Sequence, residues 1–218
     1  MTATTSALGS APNSVCVPGM RARLRAATAS LHAQVDARMP LAQAEPGLGG
    51  YLDHLLVMRD WLDVLAHAAP DLPGLELERA AVLQDAQQAA TLLGRVLPGP
   101  SPDMGVAGER LADTLRGPHA DAARWGVRYV VEGSHLGGQV LQRRLAAALA
   151  PHPLGYLTLG APGGWTLFLH GLSVREFSLA EQDAACSAAV LAFEALIDCL
   201  SDHQARTPSR TRPKCPST

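Results

Sequence analysis

Apolar residues recur at steps of three and four along most of this chain, which is the period of an amphipathic helix. The first such stretch runs from about Met20 to Arg38, and Pro40 ends it because proline lacks the N–H of the helical hydrogen bond. Its apolar positions fall on one stripe: Met20, Leu24, Ala27, Leu31 and Val35. The pattern predicts that this helix packs one face against a core.

The same period predicts six further helices, separated by segments rich in proline and glycine. They are expected near residues 51–67, 75–96, 104–115, 120–149, 165–172 and 179–200. The last begins at a capping box, Ser178-Leu179-Ala180-Glu181, whose serine and glutamate side chains can each satisfy a free backbone N–H. We find neither alternating strand patterns nor internal repeats. The sequence therefore predicts an all-α fold in a single domain.

Composition agrees with a helical globular domain. Of the 218 residues, 47% are hydrophobic, 17% are charged and only 4% are aromatic. Alanine and leucine dominate, and both enter helices at little cost in free energy. We assign residues 1–18 to a disordered leader, 19–203 to the helical domain and 204–218 to a disordered basic tail.

Charge and cysteine usage narrow the possible function classes. The formal net charge of −2 leaves no broad basic field for nucleic acid. The four cysteines form no CxxC pair, which argues against a zinc site or a disulfide framework: Cys16, Cys186, Cys199 and Cys215. We find no signal peptide and no uninterrupted apolar run of about 18 residues. We therefore predict a cytoplasmic protein without nucleic-acid or membrane partners.

One histidine of the first helix lies where it can serve chemistry. His32 follows Leu31 by one step, about 100° around the helix, so it sits at the border of the apolar stripe. A neutral imidazole there can present one ring nitrogen to a metal held against the stripe. Taken alone, a surface or half-buried histidine is the more common explanation.

Three glycines interrupt the helical stretch between Tyr129 and Leu141: Gly133, Gly137 and Gly138. Each interior glycine loses about 1 kcal/mol against alanine, so the three together forfeit on the order of 3 kcal/mol. Glycine offers in return a helix that can kink and a backbone that a flat object can approach closely. A close helix–helix crossing is the structural alternative, since Gly133 and Gly137 share a face. Gly138 extends that face and favours a broad, bare surface.

Two motifs in these segments resemble motifs of the haem oxygenases. The first-helix motif of that family is similar to Leu24-Arg25-x-Ala27-Thr28-x-x-x-His32. Its distal-helix motif is similar to Gly133-Ser134-His135-Leu136-Gly137-Gly138-Gln139-Val140-Leu141. The order of the motifs and their separation of about 100 residues also fit. The resemblance is to the bacterial, biliverdin-producing enzymes that supply bilins to phytochromes.

The resemblance implies an all-α fold in which haem b lies between the first helix and a glycine-kinked distal helix. Haem b is then both the substrate and the group that activates O₂, and the products are biliverdin, CO and ferrous iron. His32 is implied to ligate the iron, and Arg25 to pair with a haem propionate, which a guanidinium suits. The remaining haem-binding residues implied are those of the distal wall: Gly133, Ser134, Gly137 and Gly138.

The resemblance also implies further participants. Ser134 and Gly138 are the candidates for a distal network of ordered water that supplies protons. Electrons would come from a donor such as ferredoxin or a reductase. A bacteriophytochrome apoprotein is the implied consumer of the biliverdin.

The chain departs from the animal enzymes at the distal wall. Those enzymes carry an aspartate after the first distal glycine, where it organises the water that delivers protons, and here that position is Ser134. A hydroxyl can hold water but cannot accept hydrogen bonds as a carboxylate does. Glu132 and His135 are alternatives for that role, and the sequence leaves the choice open. Arg175 is the nearest match to the basic residues that clamp propionates late in the animal enzymes.

The sequence leaves three other functions open. A haem-binding sensor or carrier would share the fold without turnover. A carboxylate di-iron oxygenase would need two Glu-x-x-His motifs, and only Glu132-x-x-His135 is present. A thiamine-hydrolysing enzyme of similar fold would need a catalytic cysteine, whereas Cys186 and Cys199 have the spacing of core residues. The other histidines are predicted to be surface or structural residues: His54, His67, His119, His152, His170 and His203.

Overall fold

The computed structural model describes residues 19–100, 103–160 and 162–207. Within these ranges the chain forms seven α-helices, two short 3-10 helices and no strand, so the predicted all-α fold is confirmed. The α-helices are α1 (Met20–Arg38), α2 (Leu48–Ala68), α3 (Leu75–Leu92), α4 (Gly105–Arg116), α5 (Ala120–Leu145), α6 (Gly164–Val174) and α7 (Leu179–Arg206). The 3-10 helices are η1 (Pro40–Ala42) and η2 (Gly155–Thr158).

The largest differences from the predicted helix bounds lie at three C-termini. α3 ends at Leu92 rather than near Val96, because Gly94 adopts a positive φ of 61°. The Arg95 N–H then bonds back to the Ala90 carbonyl, which is the Schellman arrangement. α5 ends at Leu145, short of the predicted residue 149, and α7 continues to Arg206, beyond the predicted residue 200.

The N-terminus of α7 carries the capping box that the sequence predicts. The Ser178 N–H donates to Glu181 Oε2 at 2.8 Å, and the Glu181 N–H donates to Ser178 Oγ at 3.3 Å. This reciprocal pair satisfies backbone donors that the first turn of a helix otherwise leaves free.

α7 is the central helix and packs against α1, α2, α4 and α5. Its buried face is lined with small residues: Ala185, Ala188, Ala189, Ala192 and Ala195. Small side chains allow close crossings, and at Gly126 of α5 an added Cβ would lie 2.0 Å from the Ala185 carbonyl oxygen. The buried Trp61 of α2 also reaches α7, where its Nε1–H donates to the Ala192 carbonyl at 2.9 Å. α1 and α5 are thus both positioned by the same helix.

In the part of the chain that the structure describes, α7 is the one helix long and apolar enough to cross a membrane by length and composition. More than half of the window that passes this test, 56%, is buried inside the protein. The buried core helix of a folded domain can pass the same test of length and composition.

The predicted leader, residues 1–18, lies outside the described residues. So do residues 208–218 of the predicted tail, whereas Gln204 to Arg206 continue α7. Cys16 and Cys215 fall in these outer segments. The remaining two cysteines are free thiols, with Cys199 buried and Cys186 half-buried.

Candidate functional site

A cavity of about 440 Å³ lies between α1 and α5 and is closed at its inner end by α2, α7 and η2. We call it the α1–α5 cavity. Its wall on the α1 side consists of His32, Val35, Asp36 and Met39. The facing wall is α5, with residues 129, 130, 133–138, 140 and 141. The inner end is formed by His54, Met58, Trp61, Tyr156, Leu157, Phe193 and Leu196, and Trp165 of α6 adds to the lining.

His32 is oriented by a carboxylate on its own helix. Its Nδ1 lies 2.8 Å from Asp36 Oδ2, one helical turn further on, and its ring centroid lies 5.8 Å from that of Phe193. A bond donated from Nδ1–H assigns the proton to that nitrogen and leaves the lone pair of Nε2 available. The side chain of His32 is 61% exposed, so the imidazole can reach a ligand in the cavity. A hydrogen bond of this kind on one ring nitrogen is typical of metal-binding histidines.

The glycines of α5 divide into two kinds. A Cβ added to Gly133 or Gly137 would have no atom within 4 Å, so both present bare backbone to open space. A Cβ added to Gly138 would lie 3.3 Å from the Leu157 carbonyl oxygen, so this glycine permits close packing of α5 on η2. The expectation that Gly138 extends the bare surface is therefore wrong: the close packing offered as the alternative for Gly133 and Gly137 occurs at Gly138 instead, because η2 packs there. α5 is a single continuous α-helix through all three positions.

Ser134 lines the cavity, but its hydroxyl proton is already engaged in a hydrogen bond. Its Oγ–H donates to the Val131 carbonyl in the preceding turn at 2.7 Å. The hydroxyl oxygen can still accept a hydrogen bond from a ligand or a water molecule.

His135 lies in the cavity wall, whereas Glu132 does not. The His135 Nε2 lies 3.2 Å from the buried carboxylate of Glu78 on α3, and its Nδ1 lies 3.7 Å from Glu132. Burial alone would lower the pKa of His135, but the hydrogen bond and charge of Glu78, with the charge of Glu132, raise it above its ordinary value. Glu132 also approaches Arg128, at 3.8 Å. Both ring nitrogens of His135 are thus directed at carboxylates.

Arg25 is exposed and does not line the cavity. Its positive charge acts on Tyr129, a residue of the α5 wall. Burial raises the pKa of Tyr129, and a hydrogen bond with Thr28 and the charges of Arg21 and Arg25 partly oppose that rise. Arg175 faces elsewhere, because its guanidinium lies 5.2 Å above the Phe177 ring and 4.0 Å from Glu181.

No known family model matches the chain. A curated protein named heme oxygenase, from Xanthomonas campestris pv. campestris (strain 8004), is 36% identical over 113 residues. The match covers 49% of this chain and 68% of that relative. The chain belongs to the haem oxygenase family. This confirms the family predicted from the two motifs.

Among haem oxygenase features predicted here, the structure brings His32, Gly133, Ser134, Gly137 and Gly138 to one cavity. Arg25 is not among the residues that line the cavity. The roles of these residues stay predictions.

Sequence reasoning missed His54, which it predicted to be a surface or structural residue. In this member of the haem oxygenase family His54 is 6% exposed and lines the inner end of the cavity. Burial lowers its pKa from 6.5 to about 4, so the imidazole is neutral at physiological pH. The available signal was its place between apolar residues on one helix face, Tyr51 three positions before it and Met58 four after it.

The structure does not support the di-iron alternative. Within residues 19–100, 103–160 and 162–207, no group of three or more His, Cys, Asp or Glu side chains could hold a metal ion. Glu78 and Glu132 lie against opposite nitrogens of the His135 ring and therefore do not converge on one point.

Proposed function

We propose that this protein is a haem oxygenase that uses O₂ and electrons to convert haem b into biliverdin, CO and ferrous iron. One observation carries the proposal: a histidine oriented by a carboxylate and a stretch of bare helix backbone face the same cavity. Membership of the haem oxygenase family supports it.

The residues of the α1–α5 cavity fit a haem. Its volume falls within the range of small-molecule sites, about 300–1,000 Å³. Most of its lining is apolar or aromatic, as the burial of a macrocycle requires. We propose His32 Nε2 as the ligand to the iron, and Arg25 with Tyr129 at the rim as partners for the propionate carboxylates. The haem iron, as part of the substrate, is the metal in this proposal.

The bound haem supplies the redox-active iron and the ring carbon that is oxidised. The protein supplies the surroundings. Gly133 and Gly137 leave room on the α5 side of the substrate because neither has a side chain. The hydroxyl of Ser134 can accept a hydrogen bond from a water molecule there, and Gly138 keeps α5 against η2. The apolar lining limits the number of water molecules that reach the substrate.

The wider setting is proposed from the family resemblance. A ferredoxin or a reductase would deliver the electrons, and a bacteriophytochrome apoprotein would take up the biliverdin. We propose that the reaction takes place in the cytoplasm.

The test is aerobic turnover of the purified protein loaded with haemin, with ascorbate or a reductase as electron source. We expect the Soret band to disappear while a biliverdin band grows. His32→Ala should abolish turnover and leave a folded helical protein. The matched control is His67→Ala. His67 is also exposed, and its Nδ1 forms a hydrogen bond with the Asp63 carbonyl one helical turn away. Unlike His32, it does not line the cavity.

The outcomes separate the possible functions. A Soret band that persists with an intact histidine-ligated haem would indicate a sensor or carrier instead of an oxygenase. Absence of haem binding by the unmodified protein would contradict the proposal altogether. Undiminished turnover in His32→Ala would show that another residue ligates the iron.

A further inference from the structure

His54 lines the α1–α5 cavity, and part of its hydrogen-bonding capacity is not used within the protein. Its Nδ1 is enclosed by the protein and has no hydrogen-bond partner among the described residues. A neutral imidazole always carries one N–H donor and one lone pair. Buried polar groups are almost always paired, so an unpaired one calls for a physical explanation.

Several other polar groups of the cavity already have partners. The proton of Ser134 goes to the Val131 carbonyl, and the ring nitrogens of His135 face Glu78 and Glu132. The Trp61 N–H is bonded to α7. His32 is held by Asp36 on the opposite wall. None of these groups has a free N–H or O–H to offer a molecule next to α5.

His54 lies towards the α5 side of the inner end. Its ring centroid is 6.5 Å from that of Tyr156 in η2. The next residue, Leu157, is the one against which Gly138 of α5 packs. Phe193, which also lines the inner end, has its ring centroid 5.8 Å from that of His32. His32 and His54 are therefore associated with different walls of the cavity.

We propose that His54 donates a hydrogen bond to a small ligand, water or an O₂-sized diatomic molecule, held between the substrate and α5. This inference rests on the proposed function, because the substrate defines that space. His54 then provides a hydrogen-bond donor that Ser134, whose proton is engaged by Val131, does not. The neutral state of His54 favours this role, because the lone N–H of a neutral imidazole can donate without placing a charge in an apolar cavity.

The test uses carbon monoxide as a probe in the full-length protein loaded with haem and chemically reduced. A hydrogen-bond donor next to bound CO lowers its stretching frequency, which infrared spectroscopy measures. We expect His54→Leu to raise this frequency and His54→Gln, which keeps an N–H donor, to stay closer to the unmodified protein. With the oxidised complex, we expect the affinity for azide to fall about tenfold in His54→Leu, the equivalent of one hydrogen bond.

The matched control is His152→Leu. His152 is 5% exposed and has an unpaired Nε2, like His54, but it does not line the cavity. Thermal unfolding checks that each variant is folded. If His54→Leu does not fold, His54→Phe replaces it, since phenylalanine keeps a flat ring without a nitrogen.

Each outcome decides the inference. A frequency shift confined to the apolar variants of His54 supports it. An unchanged CO frequency and azide affinity in those variants, with haem bound normally, would overturn the role of His54 and leave the oxygenase proposal standing. An equal shift in His152→Leu would also overturn it, because the cause would then be general repacking. Failure of the unmodified protein to bind haem would contradict the proposed function itself.

Discussion

The imidazole of His32 owes its orientation to one neighbour on its own helix. The carboxylate of Asp36 lies 2.8 Å from Nδ1, and the two side chains are 61% and 66% exposed. Such a weakly buried pair contributes little to folding. In the proposed function the pair leaves Nε2 as the nitrogen that ligates the iron, and partners of this kind affect metal affinity strongly.

Asp36→Asn should weaken haem binding about 10- to 100-fold, because an amide holds the Nδ1–H of His32 less strongly than a carboxylate does. Titration of the haem-free protein with haemin measures the change. Asp113→Asn is the matched control, since Asp113 is a similarly exposed partner of Arg116 on α4 and lies outside the cavity. Equal affinities of the Asp36 and Asp113 variants would show that the carboxylate does not act through His32.

At the scale of single elements, α5 carries glycines with opposite environments. Gly126 touches α7 so closely that an added Cβ would lie 2.0 Å from the Ala185 carbonyl oxygen. Gly133, two turns later, faces open space. The same residue type therefore serves packing at one point of the helix and leaves a bare surface at another.

Gly126→Ala and Gly133→Ala should change stability in opposite directions. The first forces two backbones apart and should destabilise the fold by about 3 kcal/mol or more. The second removes the entropic penalty of glycine without a clash and should stabilise the fold by up to about 1 kcal/mol. Chemical denaturation measures both changes.

The effects of Gly126→Ala and Gly133→Ala on the affinity for haemin should have the opposite order to their effects on stability. Gly133→Ala places a methyl group on the cavity wall and should reduce the affinity for haemin, while any folded Gly126→Ala protein should bind normally. A Gly133→Ala protein that binds haemin as well as the unmodified one would argue against a ligand lying close to this wall.

At the scale of the whole molecule, buried carboxylates on α3 contact helices that surround the inner end of the cavity. The carboxylate of Asp85 accepts hydrogen bonds from the Tyr51 hydroxyl at 2.6 Å and from the Tyr156 N–H at 2.8 Å. Glu78, two turns earlier on α3, faces His135 of α5. These contacts connect α2, α3, α5 and η2 around the inner end of the cavity.

The contact between Glu78 and His135 predicts a pH dependence of stability. The pKa of His135 is raised in the folded protein above its ordinary value of 6.5, because Glu78 and Glu132 outweigh the effect of burial. The stabilisation is therefore fully present below about pH 6.5 and is lost as the pH rises through the folded pKa. Denaturation at a series of pH values should show this decline.

Glu78→Gln should flatten the decline, since the neutral amide no longer favours the protonated ring. Glu76→Gln is the control on the same helix, because the Glu76 side chain is 80% exposed and pairs with Arg79. A decline that remains as steep in Glu78→Gln as in Glu76→Gln would assign the pH dependence to other groups.

The sequence predicts the helices well here because the apolar period of a helix depends only on residues close together in the chain. All seven predicted α-helices are present, and the capping box at Ser178 forms as expected. The ends of helices are less readable. At α3 the apolar period continues to Val96, but the left-handed backbone of Gly94 stops the helix earlier.

By itself, the sequence determined the all-α class and the two segments that face the cavity, since both depend on residues close together in the chain. Only the tertiary structure showed that Gly138 packs on η2, that Glu78 faces His135 and that His54 lines the inner end of the cavity. Each of these contacts joins helices distant in sequence. Such pairings depend on how the helices pack around α7, and no local pattern specifies that packing.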